Sequence, residues 1–93
     1  MYAVYILRSL RTGQYYIGQT NDLSDRLLRH DRGEVLATKA YRPWKLVHRE
    51  VFSSRSDAVR REYYLKSLKN KEYLKQYILK HSGVEQSGSS PGP

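Results

Sequence analysis

Two tyrosine-containing runs, Tyr2-Ala3-Val4-Tyr5-Ile6-Leu7 and Gln14-Tyr15-Tyr16-Ile17-Gly18-Gln19, decide the fold of this 93-residue chain. Each run has the aromatic and β-branched composition that is typical of a strand. The polar stretch between them, residues 8–13, ends in glycine and has the length of a turn. The two runs therefore predict an antiparallel hairpin.

The hairpin also predicts which side chains meet. Because side chains alternate across a strand, Ala3 and Tyr5 share one face of the first run, and Tyr16 and Gly18 share one face of the second. We predict a register that sets Tyr5 opposite Tyr16 and Ala3 opposite Gly18, so that two phenols stand beside sparsely covered backbone. Aromatic cross-strand pairs stabilise sheets by about 0.2–1 kcal/mol, so the pair alone indicates structure as readily as function.

The charge of the chain indicates its partners. Seventeen Lys and Arg stand against nine Asp and Glu, a net charge of +8, and nine of the aromatic residues are tyrosines. A protein this basic attracts polyanions, nucleic acids first and an anionic membrane surface as the weaker option. The chain has no cysteine, which excludes disulfides, a thiol nucleophile and a thiolate zinc site. With no signal-peptide pattern, a cytoplasmic location is expected.

Beyond the hairpin, start and stop signals divide the chain into further segments. Asn21 or Asp22 caps a first helix that Gly33 ends. Residues 34–43 form a basic irregular link, and Trp44–Phe52 reads as a third strand.

Two further helices complete the pattern. Ser54 and Asp57 are spaced as a variant capping box before the second helix, and Asn70 caps the third. The second helix is built around Ala58, Val59, Glu62, Tyr63, Leu65 and Leu68, and the apolar stripe of the third consists of Tyr73, Leu74, Tyr77 and Ile78. The order ββαβαα predicts an α+β domain, a three-stranded antiparallel sheet flanked by helices, over residues 1–81. Residues 82–93 form a disordered Ser/Gly/Pro tail.

The first predicted helix carries a candidate phosphate contact. Arg26 and His30 are four residues apart and lie on one face, and with Arg29 they form a cationic edge next to the second strand. The flat guanidinium fork of arginine matches two phosphate oxygens. A solvated helix face is the alternative.

The second predicted helix carries a candidate metal ligand. Glu62 lies at the border of the apolar stripe, and Arg60 and Arg61 beside it would favour its ionised form. The alternative is an exposed Glu62–Lys66 pair, which contributes about 0.2–0.5 kcal/mol. A single carboxylate suits Mg²⁺, which keeps several waters and takes one or two carboxylates together with substrate phosphate.

Taken together, these residues resemble the GIY-YIG nuclease family. Ala3-Val4-Tyr5 stands where that family has Gly-Ile-Tyr, and Tyr16-Ile17-Gly18 matches its second triplet. The family's arginine falls on Arg26, its helical histidine or tyrosine on His30, and its glutamate on Glu62. The resemblance covers residues 2–80 and is strongest to small stand-alone bacterial members, relatives of the nuclease domain in the incising subunit of excision repair.

The resemblance implies a reaction: hydrolysis of a DNA phosphodiester with one divalent metal, Mg²⁺ or Mn²⁺, in repair or recombination. It implies that Tyr16 helps to activate water beside Tyr5, that His30 is a further catalytic residue, that Glu62 holds the metal and that Arg26 holds the phosphate. The family's active-site asparagine has no assigned counterpart, because the sole asparagine past Glu62 is the predicted helix cap.

A non-catalytic nucleic-acid-binding module on the same fold is the alternative function, and a protein-binding adaptor is a third. In either of the first two cases, DNA contacts are expected from the basic residues Arg29, Lys39, Arg42 and Lys45. Substrate choice would depend on the shape of the DNA, on this basic segment or on a protein partner. The sequence leaves the oligomeric state open.

Overall fold

A computed structural model describes residues 1–68 and 70–81, and it has the predicted α+β architecture. The predicted tail, residues 82–93, lies outside the described residues. The elements are β1 Tyr2–Ser9, β2 Tyr15–Thr20, α1 Leu23–Arg32, α2 Leu36–Lys39, β3 Trp44–Phe52, α3 Arg55–Ser67 and α4 Lys71–His81. One difference is α2, a single helical turn inside the link that was predicted to be irregular.

The sheet is antiparallel throughout and has the order β2-β1-β3, so that β1 is the central strand. A central strand is covered on both faces, and the side chains of β1 from Ala3 to Leu7 are all buried. One face packs against α3 and α4 and forms the main apolar cluster. That cluster consists of Val4, Ile6, Ile17, Ala58, Leu65, Leu74, Tyr77 and Ile78.

The predicted hairpin register is wrong by two residues. Tyr5 stands opposite Gly18 and Leu7 opposite Tyr16. The turn explains the difference, because the amide of Ser9 donates to the carbonyl of Gln14 at 2.8 Å and extends the hairpin further toward the turn than expected. A shift of two keeps every side chain on its predicted face. The two phenols therefore share a face, but they are diagonal neighbours.

Local capping explains where each long helix begins and ends. The side chain of Asp22 accepts from the amide of Asp25 at the start of α1, and Gly33, with φ 77°, ends it. The hydroxyl of Ser54 accepts from the third residue of α3, and the side-chain oxygen of Asn70 accepts from the second residue of α4 at 2.8 Å. The predicted helix starts and the glycine stop are confirmed.

One tyrosine was wrongly predicted to lie in an apolar stripe. Tyr73 on α4 is 62% exposed, and Tyr63 on α3 is 71% exposed. Helical spacing alone placed Tyr73 inside, but the buried residues are Ala58 and Leu65 of α3 and Leu74, Tyr77 and Ile78 of α4. Within residues 1–68 and 70–81, none of the helices is both long and apolar enough to pass through a bilayer.

Leu65→Ala tests the main apolar cluster. Leu65 is fully buried, so its truncation should lower the free energy of unfolding by about 2–5 kcal/mol, as measured by urea denaturation. Leu36→Ala is the matched control, because Leu36 is 87% exposed and its loss should change the free energy by less than about 0.5 kcal/mol. Equal losses in the two variants would contradict this core.

Candidate active site

The hydroxyl of Tyr5 is the centre of a buried polar site on the face of the sheet that packs against α1 and α2. Tyr5 is 0% exposed, and its ring lies over the backbone of Gly18. A Cβ atom added at Gly18 would lie 2.6 Å from the Tyr5 hydroxyl oxygen and 2.8 Å from Cζ. Glycine is therefore required here because the phenol occupies the space of a side chain.

A hydrogen-bonded chain runs from Tyr5 into the segment between α1 and β3. The Tyr5 hydroxyl lies 2.9 Å from Nε2 of His30, and Nδ1 of His30 lies 2.8 Å from the hydroxyl of Thr38. The Thr38 hydroxyl donates to the carbonyl of Val35, so it accepts from His30. Nδ1 of His30 then carries the proton, and Nε2 accepts from the Tyr5 hydroxyl.

Two further rings enclose this chain. The Tyr16 ring lies edge-on to His30 at a centroid distance of 5.2 Å, and it is 6.3 Å from the Tyr5 ring. Trp44 contacts the other side of Tyr16, and its indole N–H donates to the carbonyl of Thr38 at 2.8 Å. Tyr16 is only partly buried, so it is the phenol of the site that solvent reaches.

Arg26 and Glu62 both act electrostatically on the Tyr5 hydroxyl. Burial raises the pKa of Tyr5 to about 12, with smaller upward contributions from Tyr16 and Glu62, while the charge and hydrogen bonding of Arg26 oppose the rise. Tyr5 is therefore a protonated phenol near neutral pH. The structure brings Tyr5, Tyr16 and His30 into contact, and the charges of Arg26 and Glu62, from two helices, act on Tyr5.

The cationic edge expected on α1 does not form. His30 is 1% exposed, and burial, followed by the charge of Arg26, holds its pKa below the ordinary value. His30 is therefore a neutral imidazole inside the site. Arg29 faces solvent and pairs with Asp25 at 2.8 Å.

Glu62 meets parts of both expectations: it forms the ion pair with Lys66, and it is largely buried. The predicted pair exists, with the Lys66 ammonium 2.8 Å from Oε2, yet the Glu62 side chain is only 20% exposed and its charge reaches Tyr5. Arg60 and Arg61 were expected to act on Glu62, but both form ion pairs with other carboxylates. Arg60 pairs with Asp57, and Arg61 pairs with Glu50.

The side chains that could hold a metal suit a hard divalent cation that needs few protein ligands. Among residues 1–68 and 70–81, no group of three or more His, Asp or Glu side chains converges to form a metal cage. Glu62 supplies one carboxylate, which suits a hard cation that takes its remaining ligands from water and from substrate phosphate.

The basic residues that were predicted to bind nucleic acid are exposed but do not form one cluster. Arg42 crosses beneath Gly33 and donates to the carbonyl of Lys39 at 3.0 Å. Lys45 stands opposite Arg8 in the sheet register. Because side chains alternate along a strand, the Lys45 side chain is on the sheet face covered by α3 and α4, away from Tyr5.

Sequence reasoning missed Thr38 and Trp44. Thr38 is fully buried and fixes the tautomer of His30, but it lies in a stretch that was predicted to be irregular, where no periodicity marks it. Trp44 was recognised only as a strand residue. Its indole N–H, which needs a partner when it is half-buried, was the one available signal.

Comparisons with known proteins show which family the chain resembles. A family model described as the GIY-YIG catalytic domain matches residues 1–81. A UPF0213 protein of Staphylococcus saprophyticus is 34% identical over 73 residues, covering 77% of this chain and 88% of the relative. A UPF0213 protein of Bacillus licheniformis is 44% identical over 71 residues, covering 73% of this chain and 72% of the relative.

A solved structure is also similar. The solution NMR structure of the UPF0213 protein BH0048 from Bacillus halodurans matches with a TM-score of 0.58 at 29% sequence identity, covering 96% of this chain and all of that one.

The neutral state of His30 predicts a pH dependence of stability. Its pKa is lowered in the folded protein, while the unfolded value is about 6.5. As the pH falls below about 6.5 the unfolded chain gains a proton that folded His30 does not, so the free energy of unfolding should decrease. The decrease should be smaller in His30→Gln, as measured by urea denaturation between pH 7.5 and 5. The exposed His81→Gln variant is the control, and a wild-type slope in His30→Gln would contradict the assignment.

Proposed function

Because the chain belongs to the GIY-YIG catalytic-domain family, we propose that it is a divalent-metal-dependent endonuclease that hydrolyses phosphodiester bonds in DNA. One observation supports this function above the others. The Tyr5 phenol is hydrogen-bonded to a neutral imidazole and feels the charges of a guanidinium and of a carboxylate, on elements distant in sequence. A sheet that needed only stability would not place opposite charges beside a buried phenol.

In this proposal Arg26 holds the scissile phosphate. It is half-buried at the edge of the site, where a guanidinium keeps its charge and can bind two phosphate oxygens at once. The same charge would stabilise the negative charge that builds up on the phosphate during attack.

Tyr16 and the Tyr5–His30 pair share the handling of water and protons. Tyr16, the accessible phenol, orients the attacking water. The unprotonated Nε2 of His30, held in that tautomer by Thr38, is the site's proton acceptor, and the Tyr5 hydroxyl already points its hydrogen at it. Tyr5 can therefore take a proton from the solvent side as it passes its own to His30.

Glu62 is proposed as the metal ligand, for Mg²⁺ or Mn²⁺. When bound, the metal would offset negative charge on the phosphate and on the leaving oxygen. Lys66 holds the Glu62 carboxylate in place at 2.8 Å and competes for it with any other cation. Glu62 is therefore oriented before substrate arrives.

The choice of DNA as substrate is supported by the charge of the protein surface. The net charge of +8 and the exposed Lys39, Arg42 and Arg29 support DNA as the partner. We extend the proposal to structured DNA substrates of repair or recombination in the cytoplasm, with a protein partner as a further means of targeting.

A second candidate is a nucleic-acid-binding module without catalysis. The pairing of Glu62 with Lys66 favours it, because a carboxylate already satisfied by an ammonium does not require a metal. Cleavage and binding assays separate the two functions.

Glu62→Gln tests catalysis. With nicked, flapped and branched DNA in Mg²⁺ or Mn²⁺, wild type should cleave, and Glu62→Gln should be slower by about 100-fold, since the loss of metal stabilisation removes a few kcal/mol. Glu34→Gln, at an exposed glutamate, should keep the wild-type rate. If wild type and Glu62→Gln behave alike and a chelator changes nothing, the protein is not a metal-dependent nuclease.

Arg26→Ala tests phosphate binding separately from cleavage. In the Glu62→Gln background, duplex binding should weaken, and the slope of log affinity against log salt should decrease by about one. Arg26→Lys should keep most of the slope because it keeps the charge. Arg55→Ala, at an exposed arginine, is the control, and equal slopes for Arg26→Ala and Arg55→Ala would remove Arg26 from the phosphate site.

A further inference from the structure

A second cavity lies between α3 and α4, separate from the site around Tyr5. It is an open groove of about 760 Å³, within the size range of small-ligand sites, roughly 300–1,000 Å³. Cations and aromatic rings dominate its walls: Arg60, Arg61 and Lys80 with Phe52, Tyr64, Tyr73, Tyr77 and His81. The acid among its lining residues, Asp57, is paired with Arg60 at 2.9 Å.

Helix α3 separates the groove from the site. Glu62 and Tyr64 are about 200° apart around the helix axis at 3.6 residues per turn. Glu62 acts on Tyr5, whereas Tyr64 and Arg61 line the groove on the other side. One rigid helix therefore contributes to both surfaces.

The floor of the groove is a fixed polar network. The carboxylate of Glu50 accepts from the Tyr77 hydroxyl, and Nε2 of His48 lies 2.7 Å from it. Arg61 donates to the Tyr77 hydroxyl at 2.6 Å and pairs with Glu50 at 3.5 Å. Burial acts to raise the pKa of Glu50, but the hydrogen bonds from His48 and Tyr77 and the charge of Arg61 outweigh it, so the pKa is lowered. The ring of Tyr77 is thereby locked, with the His81 ring stacked on it at 4.1 Å.

The walls leave flat rings open to solvent. Tyr64 is 49% exposed and Tyr73 is 62% exposed, at opposite walls of the groove. Arg60 and Lys80 are exposed beside them. The Arg61 guanidinium lies over the Tyr64 ring at 5.7 Å from its centroid. The groove therefore offers rings and positive charge side by side, which suits a ligand that carries flat rings and negative charge.

We propose that this groove binds unpaired nucleotides of a single-stranded DNA segment, with bases stacked on Tyr64 and Tyr73 and phosphates near Arg60 and Lys80. Aromatic platforms interleaved with cations are the means by which proteins hold single strands without reading sequence. An acidic peptide would satisfy the cations but would leave the flat rings without matching partners. The inference rests on the proposed function in one respect: it makes the substrate a junction of duplex and single-stranded DNA, the duplex at Tyr5 and the free strand between α3 and α4.

The test measures binding of a fluorescein-labelled oligothymidylate by anisotropy, in the Glu62→Gln background so that cleavage plays no part. Tyr64→Ala and Tyr73→Ala should each weaken binding by about 5-fold or more, whereas Tyr64→Phe should keep most of it. Tyr63→Ala is the matched control, because Tyr63 is 71% exposed on the same helix but lies outside the groove lining. Lys80→Gln should weaken binding more than Lys75→Gln, since Lys75 is exposed on α4 outside that lining.

Three outcomes would overturn the proposal. The first is that Tyr64→Ala and Tyr73→Ala bind the oligonucleotide as tightly as Tyr63→Ala does. Polyglutamate of equal charge could displace the oligonucleotide as well as unlabelled oligothymidylate does, which would show that the groove binds acidic chains by charge alone. The third is that Tyr64→Ala and Tyr73→Ala weaken the binding of blunt duplex as much as they weaken the binding of the single strand. Circular dichroism melting of each variant confirms folding, and a failure of cleavage in the wild type would leave these binding results standing.

Discussion

The arrangement of this small domain depends on one contact, the Tyr5 ring lying over Gly18 with its hydroxyl against His30. Tyr5 sits in the central strand and is completely buried. The bare backbone of Gly18 on the neighbouring strand gives the ring its space. His30 fixes the end of α1, and Thr38 attaches the short α2 to the same point. The link between α1 and β3, whose Leu36 and Tyr41 side chains are exposed, is thus held by polar contacts to the site rather than by the main core.

Helix α3 connects that site to the rest of the molecule. Its apolar contacts, Ala58 and Leu65, lie against the sheet. The two flanks beside this stripe are polar and serve different surfaces, with Glu62 on one side and Arg61 and Tyr64 on the other. Because a helix is stiff, the distance between the two surfaces is fixed by the helix radius. A ligand that contacts both surfaces must span this fixed distance. Binding of such a ligand would depend on its shape rather than on its base sequence.

The sequence predicted the elements well because their signals are local. The caps at Ser54 and Asn70, the glycine stop at residue 33 and the strand composition each act within a few residues. The register could not be predicted in the same way, because it depends on how the turn closes at Ser9 and Gln14. The site residues came from a resemblance, whereas the burial and neutrality of His30 depend on the packing of α2, which has no sequence signature. Lys45 shows the same limit, since the face it occupies follows from the strand pairing and not from its place in a basic run.

In the proposed function, the charges around Tyr5 would set the order in which phosphate and metal bind. Arg26 and Lys66 carry positive charge and Glu62 carries negative charge, while Tyr5 and His30 are neutral at neutral pH. The charge of Asp31 also acts on His30, so the two cations and the two carboxylates balance in the free site. In the proposed function a phosphodiester would be attracted by Arg26, and its negative charge would then favour the approach of a cation to Glu62. The ammonium of Lys66 is on a flexible stem and can turn away, whereas Glu62 is held on a packed helix. Under that proposal nucleic acid would bind before the metal, in keeping with a site that offers one carboxylate.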